Sequence, residues 1–464
     1  MSTTLPNDAP VLVVGAGIMG AGIAQVAALA GHPVRLFDTR EGAAAGARDK
    51  LAASLQALVA KGKLDAAAVD AALARIAPVA QLADAADAQL VVEAIVEDLA
   101  AKRGLFRQLE GIVADGTVLA TNTSSISVTA IANGLRLPQR LVGMHFFNPV
   151  PLMKLVEVVS GLQTARPVAD AVFALAAAWG KVPVHARSTP GFIVNRIARP
   201  YYAEALALLL EQAATPQQID ACLRAAGFRM GPCELMDLIG HDTNFAVTCS
   251  VFEANFQDKR YMPSLVQREM VDGGLLGRKT GRGFYTYPDG LPAFAPAPDA
   301  GPSRTGAGWS DGAGHVLPTD GRTAAERAAA LGTHDVVLFD RTLRGGGALA
   351  CTAAPGCSDA WRAQALDWIT AQSHTPVPVA DTPGLVVART LAMLVNEACD
   401  AVLQGVCTPE GADAAMKLGV NYPAGPFEWL AGWGAAGVID VLQALDACYR
   451  GERYRVSPGL RRRA

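Results

Sequence analysis

Val11-Leu12-Val13-Val14-Gly15-Ala16-Gly17-Ile18-Met19-Gly20 decides the fold. Its apolar opening, with no polar break, reads as a strand buried on both faces of a parallel sheet. Glycines in GxGxxG spacing follow at once, and residues 21–30 carry a helical pattern stopped by Gly31. Gly15 permits a tight turn, Gly17 lets a diphosphate approach the backbone, and Gly20 lets helix and strand pack closely. Ile18 and Met19, inside the same turn, join the three glycines as candidate dinucleotide-binding residues. A second strand, residues 34–37, ends in Asp38, 18 residues after Gly20. A carboxylate there binds adenosine ribose hydroxyls and repels a 2′-phosphate, so NAD is expected over NADP. Arg40 is the nearby group that would instead favour the phosphate.

Further along, residues 41–77 read as a long helical excursion. Within it Ser54 and Lys61, seven apart, share a face. Residues 90–97 read as a strand ending in Glu97, at the sheet edge where open α/β folds bind ligands. A helix over 98–109 carries Lys102. A strand over 118–122 delivers Thr123-Ser124-Ser125 to the same edge.

Length and composition bound the rest. At 464 residues the chain predicts about two to four domains. Hydrophobic residues are 51% and charged residues 18%, the balance of a soluble globular protein. A net charge of −3 without basic blocks argues against nucleic acid and against a membrane surface. Eight scattered cysteines, with no CxxC pair and no metal-ligand spacing, predict reduced thiols and no metal site. With no signal segment visible, a cytoplasmic location is expected. Arg461-Arg462-Arg463 reads as a frayed, solvated end.

Residues 141–144 and 155–159 read as two strands, and Pro149 and Pro151 force a turn between them. Such a turn can set His145 beside Glu157. A carboxylate on one imidazole nitrogen fixes the tautomer and makes the other nitrogen a better base. A satisfied core histidine near an unrelated glutamate is the alternative that these residues alone leave open.

Several motifs together decide between them. They are Gly15 to Gly20, Glu93-Ala94-Ile95-Val96-Glu97, Asn122-Thr123-Ser124-Ser125, His145-Phe146-Phe147-Asn148-Pro149 and Thr189-Pro190-Gly191-Phe192-Ile193-Val194-Asn195-Arg196, with Gly277-Arg278-Lys279-Thr280-Gly281-Arg282-Gly283-Phe284-Tyr285. In this order and spacing, over residues 10–287, the chain resembles the NAD-dependent L-3-hydroxyacyl-CoA dehydrogenases. The resemblance implies a Rossmann-type NAD-binding domain followed by an all-α domain. It implies that His145 is the catalytic base and Glu157 its partner. Ser124 and Asn195 would bind the oxygen-bearing end of the substrate, and Ser54 and Lys61 coenzyme A. Asp38, Glu97, Lys102, Ser124, Asn148 and Lys279 would line the NAD site. The acyl-CoA would enter between the two domains. The alternatives kept open are an NADPH-dependent enzyme working in the reducing direction and a non-catalytic NAD-binding protein.

The remaining residues hold a second pattern. Residues 193–212 read as one long helix, and Thr215-Pro216 caps the next. Thr382-Pro383-Gly384-Leu385-Val386-Val387-Ala388-Arg389 echoes residues 189–196 at an offset of 193, with Ala388 where Asn195 stands. The expected domains are therefore 8–187, NAD-binding; 188–287, helical; 288–322, a linker; 323–380, a small degenerate α/β segment; and 381–464, a repeated all-α domain. Family members with one helical domain dimerise through it, so the second copy would make a pseudo-dimer within one chain, with room for further homo-oligomers. The longer layout resembles the bacterial dehydrogenases of phenylacetate breakdown that act on 3-hydroxyadipyl-CoA.

Overall fold

The computed structural model describes residues 5–6, 8–288 and 305–464. They fall in two units. One runs to Val194 and includes Gly405–Val420; the other comprises Asn195–Gln404 and Asn421–Ala464.

The first unit alternates strands and helices: β1 (Val11–Val14), α1 (Ile18–Leu29), β2 (Val34–Phe37), α2 (Ala43–Ala60), α3 (Ala66–Arg75), β3 (Ile76–Pro78), β4 (Leu90–Glu93), α4 (Leu99–Glu110), β5 (Val118–Thr121), α5 (Val128–Ala132), β6 (Leu141–Phe146), β7 (Leu155–Ser160), α6 (Arg166–Ala178) and β8 (Val182–Arg187). The sheet order is β3-β2-β1-β4-β5-β6-β7-β8. Every pair is parallel except β6 with β7, whose antiparallel register sets His145 opposite Glu157. β1 lies between β2 and β4 and is wholly buried, which is why its four residues are all apolar.

Two local expectations shift. The strand expected to reach Glu97 stops at Glu93, because the Ile95 N–H donates to the Glu93 carboxylate at 2.8 Å and leaves the ladder. Ser54 lies in α2, but Lys61 sits just past its end, where Gly62 takes φ +66° and stops the helix.

The second unit begins at Asn195, within α7 (Val194–Ile197), and continues in α8 (Arg199–Leu210), where the sequence suggests one helix. Pro200 has no N–H to return to the Arg196 carbonyl, so the chain breaks at Ala198. Then follow α9 (Pro216–Ala225), α10 (Pro232–Ile239), α11 (His241–Ala254) and α12 (Leu265–Asp272). A small five-stranded sheet follows, with β9 (Trp309–Ser310), β10 (His315–Pro318), α13 (Ala324–Leu331), β11 (Val336–Phe339), β12 (Gly347–Ala353), α14 (Asp359–Ala371) and β13 (His374–Pro378). Of the stretch read as a linker, residues 289–304 lie outside the described residues, and residues 309–318 supply β9 and β10. The helices α15 (Val387–Leu403), α16 (Pro409–Gly419), α17 (Pro426–Trp433), α18 (Ala435–Tyr449) and α19 (Pro458–Arg461) complete the chain; α16 belongs to the first unit, where it packs on β7 and β8. The C-terminal arginines are exposed, as expected of a solvated end, but the chain stays anchored there: Leu460 of α19 is fully buried and the Arg463 guanidinium lies over the Phe427 ring.

Within the second unit α8 packs on α15, and exchanged ion pairs tie α7 and α8 to α15. Arg196 Nε donates to Glu397 at 2.6 Å and Arg389 Nε to Glu204 at 3.0 Å. Arg260 and the Tyr261 hydroxyl also meet Glu397, as Arg453 and the Tyr454 hydroxyl meet Glu204. Each member lies 193 positions from its counterpart. Burial opposes charge on both glutamates, but the arginines outweigh it and hold the two carboxyls below their ordinary range. Removing one partner of a buried pair typically costs about 3–5 kcal/mol. Glu397→Gln and Glu204→Gln are therefore each expected to lower Tm in calorimetry by an amount equivalent to about 3 kcal/mol. An unchanged Tm in either would show that the pair adds nothing to the packing of α7 and α8 on α15.

Candidate active site

The glycine turn is built as its spacing requires. Gly15 takes φ +105°, and a Cβ there would stand 2.4 Å from the Ala94 carbonyl oxygen. A Cβ on Gly20 would stand 1.7 Å from the Gly15 oxygen, so strand and helix could not approach as they do. Nothing lies within 4 Å of the Cβ position of Gly17, which leaves the backbone open to a ligand. No side chain caps the α1 N-terminus at Gly17, so the first-turn N–H groups, those of Ile18 and Met19 among them, have no intrahelical acceptor. Asp38 accepts the Ala16 N–H at 2.8 Å and the Arg40 N–H at 3.0 Å, and pairs with the Arg40 guanidinium. Partial burial works against its charge, but Arg40 and these N–H groups outweigh it and hold the carboxyl below its usual range. A cavity of about 710 Å³ opens here, between Gly15, Gly17 and Asp38 on one side and Ile95, Val96 and Leu105 on the other. Apolar walls for a base, a carboxylate for ribose and free N–H groups for a diphosphate suit a dinucleotide.

The next edge of the sheet is organised by a buried lysine. Lys102 donates to Glu93 at 2.6 Å and lies 3.2 Å from Glu97, with only 1% of its side chain exposed. Thr121 donates to the other Glu93 oxygen at 2.6 Å. Lys102 therefore acts by holding Glu97. That carboxylate accepts the Thr123 hydroxyl at 2.6 Å and the N–H groups of Ser124 and Ser125 at 3.0 and 3.1 Å. Burial opposes the Glu97 charge, but Thr123 and Lys102 hold its carboxyl below the ordinary range. The sequence marks Glu93 only as the first residue of the Glu93-to-Glu97 motif, with no role of its own; its place in mid-run between Val92 and Ala94 is the further signal.

His145 and Glu157 face each other from β6 and β7, with Nδ1 and Oε2 2.6 Å apart and both side chains buried. Glu157 can only accept there, so Nδ1 carries the proton and Nε2 keeps its lone pair. The other Glu157 oxygen accepts the N–H groups of Ile193 and Val194, each at 3.0 Å. Phe147 leans on the imidazole with ring centroids 4.6 Å apart, and Phe192 meets it edge-on at 5.9 Å. Asn122 accepts the Phe146 N–H at 2.9 Å and so ties the end of β6 to the end of β5. Neither Phe147 nor Asn122 was a sequence candidate for this role.

Ser54 and Asn148 line a groove of about 880 Å³ with Lys50 and Arg40 on its border; Lys61 is not among its lining residues. Asn195 and Lys279 belong to the second unit. There the Asn195 carbonyl accepts Arg199 Nε at 3.0 Å, and Lys279 pairs with Asp242. Among the described residues, no cluster of His, Cys, Asp and Glu could hold a metal ion, and no helix is long and apolar enough to cross a membrane.

Residues 10–189 match the family model for the NAD binding domain of 3-hydroxyacyl-CoA dehydrogenase, and residues 191–287 and 384–464 both match its C-terminal domain. The chain belongs to the 3-hydroxyacyl-CoA dehydrogenase family. Residues 316–383 match the reduced Rossmann-fold domain of 3-hydroxybutyryl-CoA dehydrogenase. The chain is 46% identical to the 3-hydroxyadipyl-CoA dehydrogenase of Escherichia coli K12, over 99% of this chain and 98% of that one. It is 42% identical to a probable 3-hydroxybutyryl-CoA dehydrogenase of Bacillus subtilis, over 60% of this chain and 96% of the relative. Among solved structures it matches a 3-hydroxybutyryl-CoA dehydrogenase from Escherichia coli K12, with TM-score 0.93, 46% identity and coverage of 99% and 98% of the two chains. Like other members of this family it is an oxidoreductase with NAD as cofactor.

Within this dehydrogenase, Asp38 is expected to set the choice of cofactor. Asp38→Ser should raise kcat/KM for NADP relative to NAD, because the like charge that repels a 2′-phosphate is gone and Arg40 is released. A native preference for NADP, in the same assay, would make Arg40 the deciding group.

Proposed function

We propose that this protein oxidises an (S)-3-hydroxyacyl-CoA to the 3-oxoacyl-CoA, with 3-hydroxyadipyl-CoA as its substrate. The observation that carries the reading is the buried His145–Glu157 pair at 2.6 Å. A relative of nearly the same length and 46% identity, named for that substrate, supports the chain-length choice.

Each residue has a role in the reaction. His145 Nε2 takes the proton of the 3-hydroxyl, and the negative charge of Glu157 stabilises the imidazolium that results. Ser124 and Asn195 hold the oxygen as it becomes a carbonyl, so their contacts strengthen as the reaction proceeds. NAD, when bound, supplies the acceptor for the hydride that leaves C3. Residues 15 and 17–20 and Asp38 hold its adenosine diphosphate half. Glu97, kept in place by Lys102, lines the rest of that site with Ser124, Asn148 and Lys279. Ser54 and Lys61 contact coenzyme A, whose phosphates the nearby Lys50 and Arg40 attract.

The division into an NAD-binding domain (8–187), two helical domains (188–287 and 381–464) and an intervening linker and α/β segment is part of the same reading. The helical segments form a pseudo-dimer in one chain, supported by the exchanged pairs around Glu204 and Glu397. The protein is cytoplasmic in this reading, binds no nucleic acid and binds no membrane.

A rise in NADH absorbance with 3-hydroxyadipyl-CoA and NAD tests the activity. His145→Gln should lower kcat by about 10²–10⁴-fold. Glu157→Gln should also lower kcat, and the double variant should be barely worse than His145→Gln. NADH affinity should change little in all three. Losses that simply multiply would make Glu157 a structural neighbour. Fluorescence titration with NADH should give one site per chain, since Ala388 replaces Asn195 and the small sheet has no glycine turn of GxGxxG spacing. Two equivalent sites would contradict this.

A further inference from the structure

Among the described residues the second unit buries four arginines, Arg196, Arg199, Arg260 and Arg389. Three of them are paired with carboxylates: Arg196 and Arg260 with Glu397, and Arg389 with Glu204. Arg199 is not. Its Nε donates to the Asn195 carbonyl at 3.0 Å and its Nη1 to the Thr248 hydroxyl at 3.1 Å. The guanidinium lies over the Tyr202 ring, 4.8 Å from its centroid. Among the described residues no carboxylate forms an ion pair with it, and Nη2 makes no hydrogen bond. Neutral acceptors satisfy two of its nitrogens but leave its charge uncompensated, and burial pulls its pKa below the ordinary arginine range. A buried cation without a counter-ion is costly, and an apolar side chain of similar volume would fill the space more stably. Its presence points to an anion that arrives from outside the chain.

The surroundings say which kind. Arg199 borders a groove of about 150 Å³ that runs along α8, past Ala203 and Leu206, with Thr248 of α11 and Met262 opposite. Arg260 and Arg453 also border it, but each already holds a glutamate. A mostly apolar trough with one unpaired cation suits a short run of methylenes ending in a carboxylate. Arg199 Nε lies 3.0 Å from the Asn195 carbonyl, so its guanidinium head stays within roughly 6 Å of that residue. The 3-hydroxyl carbon of an adipyl chain is three carbon–carbon bonds of about 1.5 Å from its distal carboxyl carbon, a span of the same order.

We propose that Arg199 binds the distal carboxylate of a dicarboxylic 3-hydroxyacyl-CoA, with Nη2 donating to it and the methylenes lying along α8. The proposal rests on the reading that this chain oxidises 3-hydroxyacyl-CoA with Asn195 at the oxygen-bearing end, and it adds the residue that selects the acid. An isolated charge-assisted contact of this kind discriminates by on the order of 10²-fold against a neutral end group.

The test is a ratio of kcat/KM values: 3-hydroxyadipyl-CoA over its distal amide, which has the same length and no charge. In the native enzyme this ratio should be on the order of 10² and should reside mainly in KM, because the contact is remote from the reacting carbon. Arg199→Met should bring the ratio close to one. Arg199→Lys keeps a charge but loses the forked head, so the ratio should fall to an intermediate value, and this variant decides if the Met variant does not fold. A native ratio near one overturns the proposal. So does a variant that lowers both rates equally and leaves the ratio unchanged, since Arg199 would then only position Asn195. Native enzyme that oxidises 3-hydroxyhexanoyl-CoA but ignores the distal charge defeats this inference and leaves the proposed function standing. Native enzyme that oxidises no 3-hydroxyacyl-CoA defeats both.

Discussion

Both oxygens of Glu157 are occupied, and much of the first unit depends on that. One holds the His145 imidazole and the other receives the N–H groups of Ile193 and Val194. A carboxylate buried to this degree is tolerated only when its acceptor sites are filled, so strand register, imidazole orientation and the path of the chain out of the sheet are fixed together. Slipping β7 by one residue against β6 would turn Glu157 to the opposite face and leave all three donors without it. The small sheet uses the same device. Asp340, just after β11, accepts the N–H groups of Val386, Val387 and Ala388 at 2.6–2.9 Å. Among the described residues Asp340 is held by backbone N–H groups and by no imidazole.

The parts of the fold that were legible are those whose cause is local. An uninterrupted apolar run, three glycines at fixed spacing and an acid at the end of the next strand describe the nucleotide-binding edge within 28 residues, from Val11 to Asp38. The His145–Glu157 pairing was legible because two prolines forced the turn that joins their strands. The strand stop at Glu93 was not, since it depends on a lysine nine positions later and a threonine 28 positions later. The break at Ala198 was written in Pro200 but masked by a strong helical pattern on both sides. β9 and β10 were hidden by their shortness among glycines and prolines. The ion pairs of Glu204 and Glu397 could not be read at all, because their partners lie up to 249 positions away.

Charge inside this protein falls into distinct uses. In the first unit Lys102 is sealed between two carboxylates, and its work is geometric: it fixes the exposed Glu97, which in turn orders the backbone of Ser124 and Ser125. In the second unit Arg196 of α7 and Arg389 of α15 are matched to Glu397 of α15 and Glu204 of α8, and these pairs specify how those helices meet. A matched buried pair adds little net stability compared with an apolar contact, but a mismatched one is strongly unfavourable, so these pairs admit one arrangement and penalise others.

The exchanged pairs around Glu204 and Glu397 are near copies, yet they sit on one covalent chain. In a homodimer every substitution is made twice, so a change that suits one side is imposed on the other. Here residue 195 is asparagine and its counterpart at 388 is alanine, fully buried and tied by its N–H to Asp340. The first position keeps a polar amide while the second is given over to packing. Joined in one chain, the two segments can differ at matching positions, so that each position can answer to its own demand.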